Sequence, residues 1–231
     1  STASCSRRAA GIPLAMHQRT VSAFLTTTLV LLLALTALAW GRPATETHLM
    51  LNRLTAPALD PWFAWGTYLA DGWVPTAIGV LLLFVRWRWF LLLTISTLGS
   101  AIVVQTLKHT VFAAIDRPLM FAEQMPGLRT IPGVELHLHN SFPSGHTTCA
   151  FSMCMALAVI IGRPRAGVLL ALLACALGFT RIYLSQHFLQ DVILGAALGT
   201  VCAWYAYKLC YTGVLSNEPW IDRVPIGRQN Q

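Results

Sequence analysis

The stretch VSAFLTTTLVLLLALTALAW, Val21 to Trp40, contains no charged residue. A bilayer's hydrocarbon core is about 30 Å thick, and ~20 apolar residues in a helix cross it. The run therefore predicts a transmembrane helix. Working outward, five more stretches reach or approach that length: about Trp62 to Val85, which contains Asp71; Trp89 to Leu107; Thr147 to Gly162, short and open to an earlier start; Ala166 to about Thr180; and Phe188 to Tyr207. The expected fold is all-α, a polytopic membrane protein with six transmembrane helices in a bundle. Residues 1–20 read as a cytoplasmic N-terminal tail, 21–208 as the six-span domain and 209–231 as a loose cytoplasmic C-terminal tail. Met16 stands just before the first span, so the residues ahead of it read as a processed or appended leader.

Composition agrees. The 231 residues are 55% hydrophobic and 11% charged, against about 25% charged in a soluble globular chain. This argues against a soluble enzyme, a disordered chain and a disulfide scaffold. The net charge of +7 does not point to nucleic acid, because the arginines sit singly or in pairs at the ends of apolar runs, as topology signals do. Cys5, Cys149, Cys154, Cys175, Cys202 and Cys210 form no C-x-x-C pair, which makes a zinc site or disulfide framework a poor reading. The first span, with Arg19 before it and Ala37-Leu38-Ala39 near its end, also resembles a cleavable signal peptide. Its apolar run exceeds the usual ~7–15 residues, so a retained span is favoured.

Arg86-Trp87-Arg88 and Arg163-Pro164-Arg165 occupy short loops and should be cytoplasmic by the positive-inside rule. Both termini then fall on the cytoplasmic side, and Lys108 to His146 on the other. In the last span, Gly195 and Gly199 make a G-x-x-x-G face for close helix packing, open to an internal neighbour or a partner subunit.

Three segments place polar or charged residues at membrane depth or its edge, where an ionisable group at a helix centre costs about 2.5–3.5 kcal/mol. The first holds Lys108, Arg117 and Pro118. Alone, it is explained by a snorkelling lysine and a solvated arginine. The second, Pro143-Ser144-Gly145-His146, opens the fourth span: a serine N-cap, a glycine that lets a ligand approach backbone, and a helix N-terminus that favours an anion. Alone, it is a capped helix with a bystander histidine. The third runs from Thr180-Arg181 to His187 and Asp191. Four residues apart at a helix start, His187 and Asp191 share a face. The carboxylate can hold one ring nitrogen and leave the other free as nucleophile or base; a merely structural His–Asp pair is the alternative. The first two segments share one loop, and two spans bring the third back to the same face. Together they make a cationic cup suited to a tetrahedral dianion, phosphate.

These residues resemble the type 2 phosphatidic acid phosphatase superfamily, integral membrane lipid phosphatases with the signature K-x6-R-P, P-S-G-H and S-R-x5-H-x3-D. The second part is complete, the third has Thr180 for Ser, and the first has eight residues between Lys108 and Arg117. The resemblance implies that His187 attacks phosphorus and becomes a phosphohistidine, that Asp191 orients it, and that His146 protonates the leaving oxygen. It implies that Lys108, Arg117, Ser144, Gly145 and Arg181 hold the phosphoryl oxygens, with no metal or other cofactor. The expected function is hydrolysis of a lipid phosphomonoester or diphosphate at the periplasmic or outer face of a bacterial plasma membrane. Alternatives are phosphotransfer to a second lipid and a non-catalytic lipid-phosphate binding or transport role. Expected partners are the lipid substrate and surrounding lipids, without nucleic acid; the oligomeric state is open.

Other features read more plainly. Val134 to His139 alternates like an interfacial strand or loop, which outweighs metal binding by His137 and His139. Residues 119–140 read as a lid or an ordinary long loop. Asp71 is placed at the outer interface in preference to a pairing with Arg117 or Arg181. His17 and His48 receive no assignment.

Overall fold

The computed structural model describes residues 12–224. Expectations for residues 1–11 and 225–231 lie outside the described residues. Helix α1, Leu14–Ala39, follows Pro13 and runs unbroken for 26 residues. It starts ahead of Val21, so part of the expected tail is helical; His17 Nδ1 meets the Val159 carbonyl at 2.8 Å. The chain turns at Gly41, φ 70°, and enters α2, Ala44–Asn52, behind Pro43. Next come α3, Asp60–Gly66, with Pro61 in its first turn, a 3-10 turn at Thr67–Ala70, and α4, Trp73–Leu82. Helix α5 spans Trp87–Thr110. A long loop with a 3-10 turn at Pro118–Gln124 leads to α6, Gly145–Ile161, capped by Ser144 and closed by Gly162 at φ 64°. Helix α7 is Pro164–Tyr183. Helix α8 is Leu189–Tyr207, continued by a π-turn at Lys208–Thr212.

Among the described residues every regular element is a helix or a helical turn. By length and composition four segments can cross a membrane (α1, α5, α7, and α8 with its π-turn), and α4 and α6 are shorter apolar helices. The expected second span corrects to three pieces, α3, the 3-10 turn and α4. The break falls at Asp71-Gly72, where Asp71 turns extended and its Oδ1 accepts the Gly72 N–H at 2.8 Å. Val134–His139 is loop, not strand.

Helix α6 is the hub, packing on α1, α5, α7 and α8. Its core neighbours are mostly small, such as Ala171, Ala174, Ala196 and Ala203, with Phe24, Leu92 and Leu93 filling between. A Cβ on Gly199 would stand 2.3 Å from the Thr148 carbonyl oxygen. The G-x-x-x-G face therefore packs α8 onto α6 inside the bundle.

The segment read as a loose C-terminal end is tied down as far as Val224. Arg88 grips Asp222 through Nε at 2.8 Å and Nη2 at 2.7 Å. The Trp87 and Arg88 amides donate to Arg223 and Ile221 carbonyls at 3.1 and 2.7 Å, and Ile221 is fully buried.

Candidate active site

All three polar segments meet at one end of the bundle. Lys108, in the last turn of α5, donates from Nζ to the Asn140 carbonyl at 3.0 Å. Arg117 donates from Nε to the His139 carbonyl at 2.9 Å and from Nη1 to Gln186 Oε1 at 3.0 Å. Arg181, in the last turn of α7, donates from Nη1 to Thr67 Oγ1 at 2.7 Å, while its buried Nε has no partner among the described residues. All three side chains are buried, and none pairs with a carboxylate among the described residues. Buried charges ordinarily are paired, so this arrangement leaves positive charge available to an incoming anion.

Ser144 caps α6: its Oγ accepts from the Thr147 hydroxyl at 2.9 Å, and its N–H donates to the Asp191 carbonyl at 3.0 Å. That bond ties the start of α6 to the start of α8. The first amides of a helix have no intrahelical partner, and Gly145 turns this end toward a cavity of about 690 Å³. A Cβ on Gly145 would meet protein only at 4.0 Å, on Val104 Cγ1. The space a side chain would take there is thus left to the cavity.

The cavity is also lined by Lys108, Arg117, His146, Arg181 and His187. Ser144 and Asp191 stand behind this wall. Asp191 Oδ2 accepts from Ser141 Oγ at 2.5 Å, from the Phe188 N–H at 2.9 Å and from His187 Nδ1 at 3.2 Å. With Nδ1 committed as donor, His187 Nε2 keeps its lone pair. Burial, then the charges of Arg117, Arg181 and Lys108, push the His187 pKa well below the usual 6.5, so the ring is neutral. This is the state a nitrogen nucleophile requires.

The structure thus gathers every residue expected at the site, six on the wall and two behind it. It also adds members that have no local sequence signal: Ser141 on Asp191, Gln186 on Arg117 and Thr67 on Arg181. Asp71 lines the cavity without an ion pair to either arginine. His139 pairs with Asp116 at 2.7 Å on the exposed rim. Among the described residues no three His, Cys, Asp or Glu side chains gather as a metal-binding group.

The sequence model of the PAP2 superfamily matches residues 89–213, more than half of the chain. Over 90 residues the chain is 37% identical to the bacitracin transport permease protein BcrC of Bacillus licheniformis, covering 36% of this chain and 43% of that protein. Over 95 residues it is 34% identical to lipid phosphate phosphatase 1 of Arabidopsis thaliana, covering 36% of this chain and 29% of that protein. The chain thus matches less than half the length of these curated relatives. Among solved structures, LpxE of Aquifex aeolicus superposes with a TM-score of 0.61 at 28% identity, covering 71% of this chain and 93% of that one.

Proposed function

Because this chain belongs to the PAP2 superfamily, we propose that it is a membrane lipid phosphatase working through a phosphohistidine on His187. The observation that carries this reading is the lone-pair nitrogen of His187 facing three buried cations that have no carboxylate partner among the described residues. Arg117, Arg181 and Lys108, with the Gly145 amide, bind the phosphoryl oxygens. Nε2 attacks phosphorus in line with the ester oxygen. The P–N bond forms as the P–O bond breaks, and His146 gives its proton to the leaving oxygen. Asp191 holds the imidazolium that results. A water then gives a proton back to His146 and attacks phosphorus, the P–N bond breaks, and phosphate leaves. Fixed positive charge stabilises the charge spread over the equatorial oxygens.

The shape of the cavity supports a lipid substrate. It runs from His187 past Val104, Ala101 and Leu98 to Phe90 at the far end of α5, with Gly79 and Val80 of α4 opposite. Residues 90 and 108 are separated by about 27 Å of helix, room for a long hydrocarbon chain beside a phosphate at the cup. The substrate is a lipid phosphomonoester or diphosphate. Arginines in the α4–α5 and α6–α7 turns orient the site toward the non-cytoplasmic face, in keeping with a bacterial plasma-membrane enzyme acting on the outer leaflet.

The test is phosphate release by detergent-purified protein from a panel of lipid phosphates with EDTA present. Activity that disappears in His187→Ala, with an acid-labile phosphoenzyme trapped only in the parent, supports the reading. Undiminished release by His187→Ala refutes the mechanism.

A further inference from the structure

The turn that carries His187 contains an uncommon backbone. Ser185 sits at φ 53°, the left-handed region that a non-glycine residue seldom occupies. It is buried, and two side chains of α2 converge on its hydroxyl: Asn52 Nδ2 at 3.3 Å and His48 Nε2 at 3.2 Å. The mechanism above uses neither of them.

Their hydrogens can be placed. Asn52 Oδ1 accepts the Arg129 N–H at 2.8 Å, and Nδ2 donates to the Arg129 carbonyl at 2.8 Å. Those two backbone bonds fix the amide orientation, so Asn52 donates to Ser185. Among the described residues the Ser185 hydroxyl proton then has one acceptor within reach, His48 Nε2. The ring proton of His48 must lie on Nδ1, which is buried and has no partner among the described residues. Burial lowers the His48 pKa to about 4, which keeps Nε2 an acceptor at neutral pH. The result is a one-way chain from the Asn52 amide through the Ser185 hydroxyl to His48 Nε2. The same ring packs edge-on against Phe188 at 5.5 Å, so α2 touches the chain on both sides of His187. A left-handed serine and an orphaned buried N–H are both costly, and such costs concentrate where a fold positions a functional group.

We propose that Asn52, Ser185 and His48 are positioning residues that lock the 184–188 turn and so aim His187 Nε2 at phosphorus. The proposal rests on His187 being the nucleophile. None of the three lines the cavity or contacts the phosphate cup, so their loss should slow chemistry and leave phosphate binding intact. A misplacement of about 1 Å at a reacting centre costs on the order of 100-fold.

The experiment measures kcat and KM with dioctanoyl phosphatidate in detergent micelles, and the inhibition constant of inorganic phosphate, for the parent and its variants. Turnover by the parent and none by His187→Ala upholds the underlying reading; a parent inactive on phosphatidate is assayed with the panel lipid that it hydrolyses fastest, and one inactive on the whole panel overturns that reading and the inference with it. With an active parent, Ser185→Ala and Asn52→Ala should each lower kcat about tenfold or more, with the phosphate constant within about twofold. The double variant should be no slower than the slower single one, because both break one chain. His48→Gln, whose amide oxygen can accept the serine proton, should recover most of what His48→Leu loses. Should Asn52→Ala not fold, Ser185→Gly carries the same expectation, since glycine takes the left-handed backbone without strain. Parental kcat in the Ser185 variants, or phosphate binding that falls in step with kcat, overturns the proposal alone.

Discussion

Gly195→Ala offers a sharp test of how the two halves of the site are held together. A Cβ at this position would lie 2.7 Å from the Ser144 carbonyl oxygen and 3.2 Å from both Thr147 Cβ and Thr148 Oγ1, where ordinary contact begins at 3.4 Å. The nearest obstacle is backbone and cannot swing aside. The starts of α6 and α8 must part by about 0.7 Å, the difference between 3.4 and 2.7 Å. The Ser144 N–H to Asp191 carbonyl bond, 3.0 Å now, would stretch toward a length at which it no longer counts as a hydrogen bond. That bond is where the helix end proposed to bind phosphate meets the helix carrying the His187 partner, Asp191. Scaled from about 100-fold per 1 Å, the expected loss in kcat is on the order of tenfold or more. Overpacking costs about 1–3 kcal/mol, which lowers Tm by several degrees for a chain of this size. Gly99→Ala on α5 is the matched control: nothing lies within 4 Å of its Cβ, so it should keep full kcat and gain up to about 1 kcal/mol of helix propensity. The assay is phosphate release from dioctanoyl phosphatidate, read beside thermal unfolding in detergent. Parental kcat and Tm in Gly195→Ala would refute the reasoning, because the packing distance would then be no constraint.

Three further outcomes follow from the geometry. Ser141→Ala removes a 2.5 Å bond to Asp191; bonds to charged groups contribute about 1.5–3 kcal/mol, so kcat/KM should fall about tenfold, and an unchanged value would show that the hydroxyl does not support the pair. In the proposed mechanism His187 must be unprotonated to attack, and burial with the nearby cations holds its pKa well below 6.5. The acid limb it sets in kcat/KM should therefore lie below pH 6.5 once the substrate's own ionisation near pH 6 is allowed for, and Arg117→Gln should move that limb upward; an enzyme limb above 6.5 contradicts the assignment. Ile221→Ala should cost about 2–4 kcal/mol in detergent unfolding, because Ile221 is fully buried beside its backbone bond to the first turn of α5, whereas Val224→Ala, at 41% exposure, should stay within about 0.5 kcal/mol.

The long helices were legible because a bilayer demands one thing of them, an unbroken apolar length, and α1, α5, α7 and α8 supply it. The second span was misread for a related reason. Its hydropathy is continuous, but Asp71-Gly72 breaks the backbone, and an average over the window does not register a two-residue break. At the site, the charged and histidine residues that line the cavity are unusual types at membrane depth, and they were legible as a group, each segment alone having a plainer explanation. Their supports were not. Thr67, Ser141, Gln186 and the His48–Asn52 pair are ordinary polar residues, made significant only by long-range contacts that bring α2, the 3-10 turn and the 111–144 loop onto the ends of α7 and α8. The docked segment that ends at Val224 has no such signature, because Ile221 lies in a short stretch interrupted by Pro219 and polar residues, with no period to reveal a buried face.

The shortness of α4 has a consequence for the surrounding membrane. Ten residues make about 15 Å of helix, half the usual hydrocarbon thickness, and its first residue, exposed Trp73, is of the type that settles at membrane interfaces. Lipids against this flank must compress or tilt, at a modest cost for each ångström of mismatch, while those beside the full-length α1 need not. The lipid shell is therefore uneven. Its thinnest part adjoins α4, whose Pro75, Thr76, Gly79 and Val80 line the same cavity as His187.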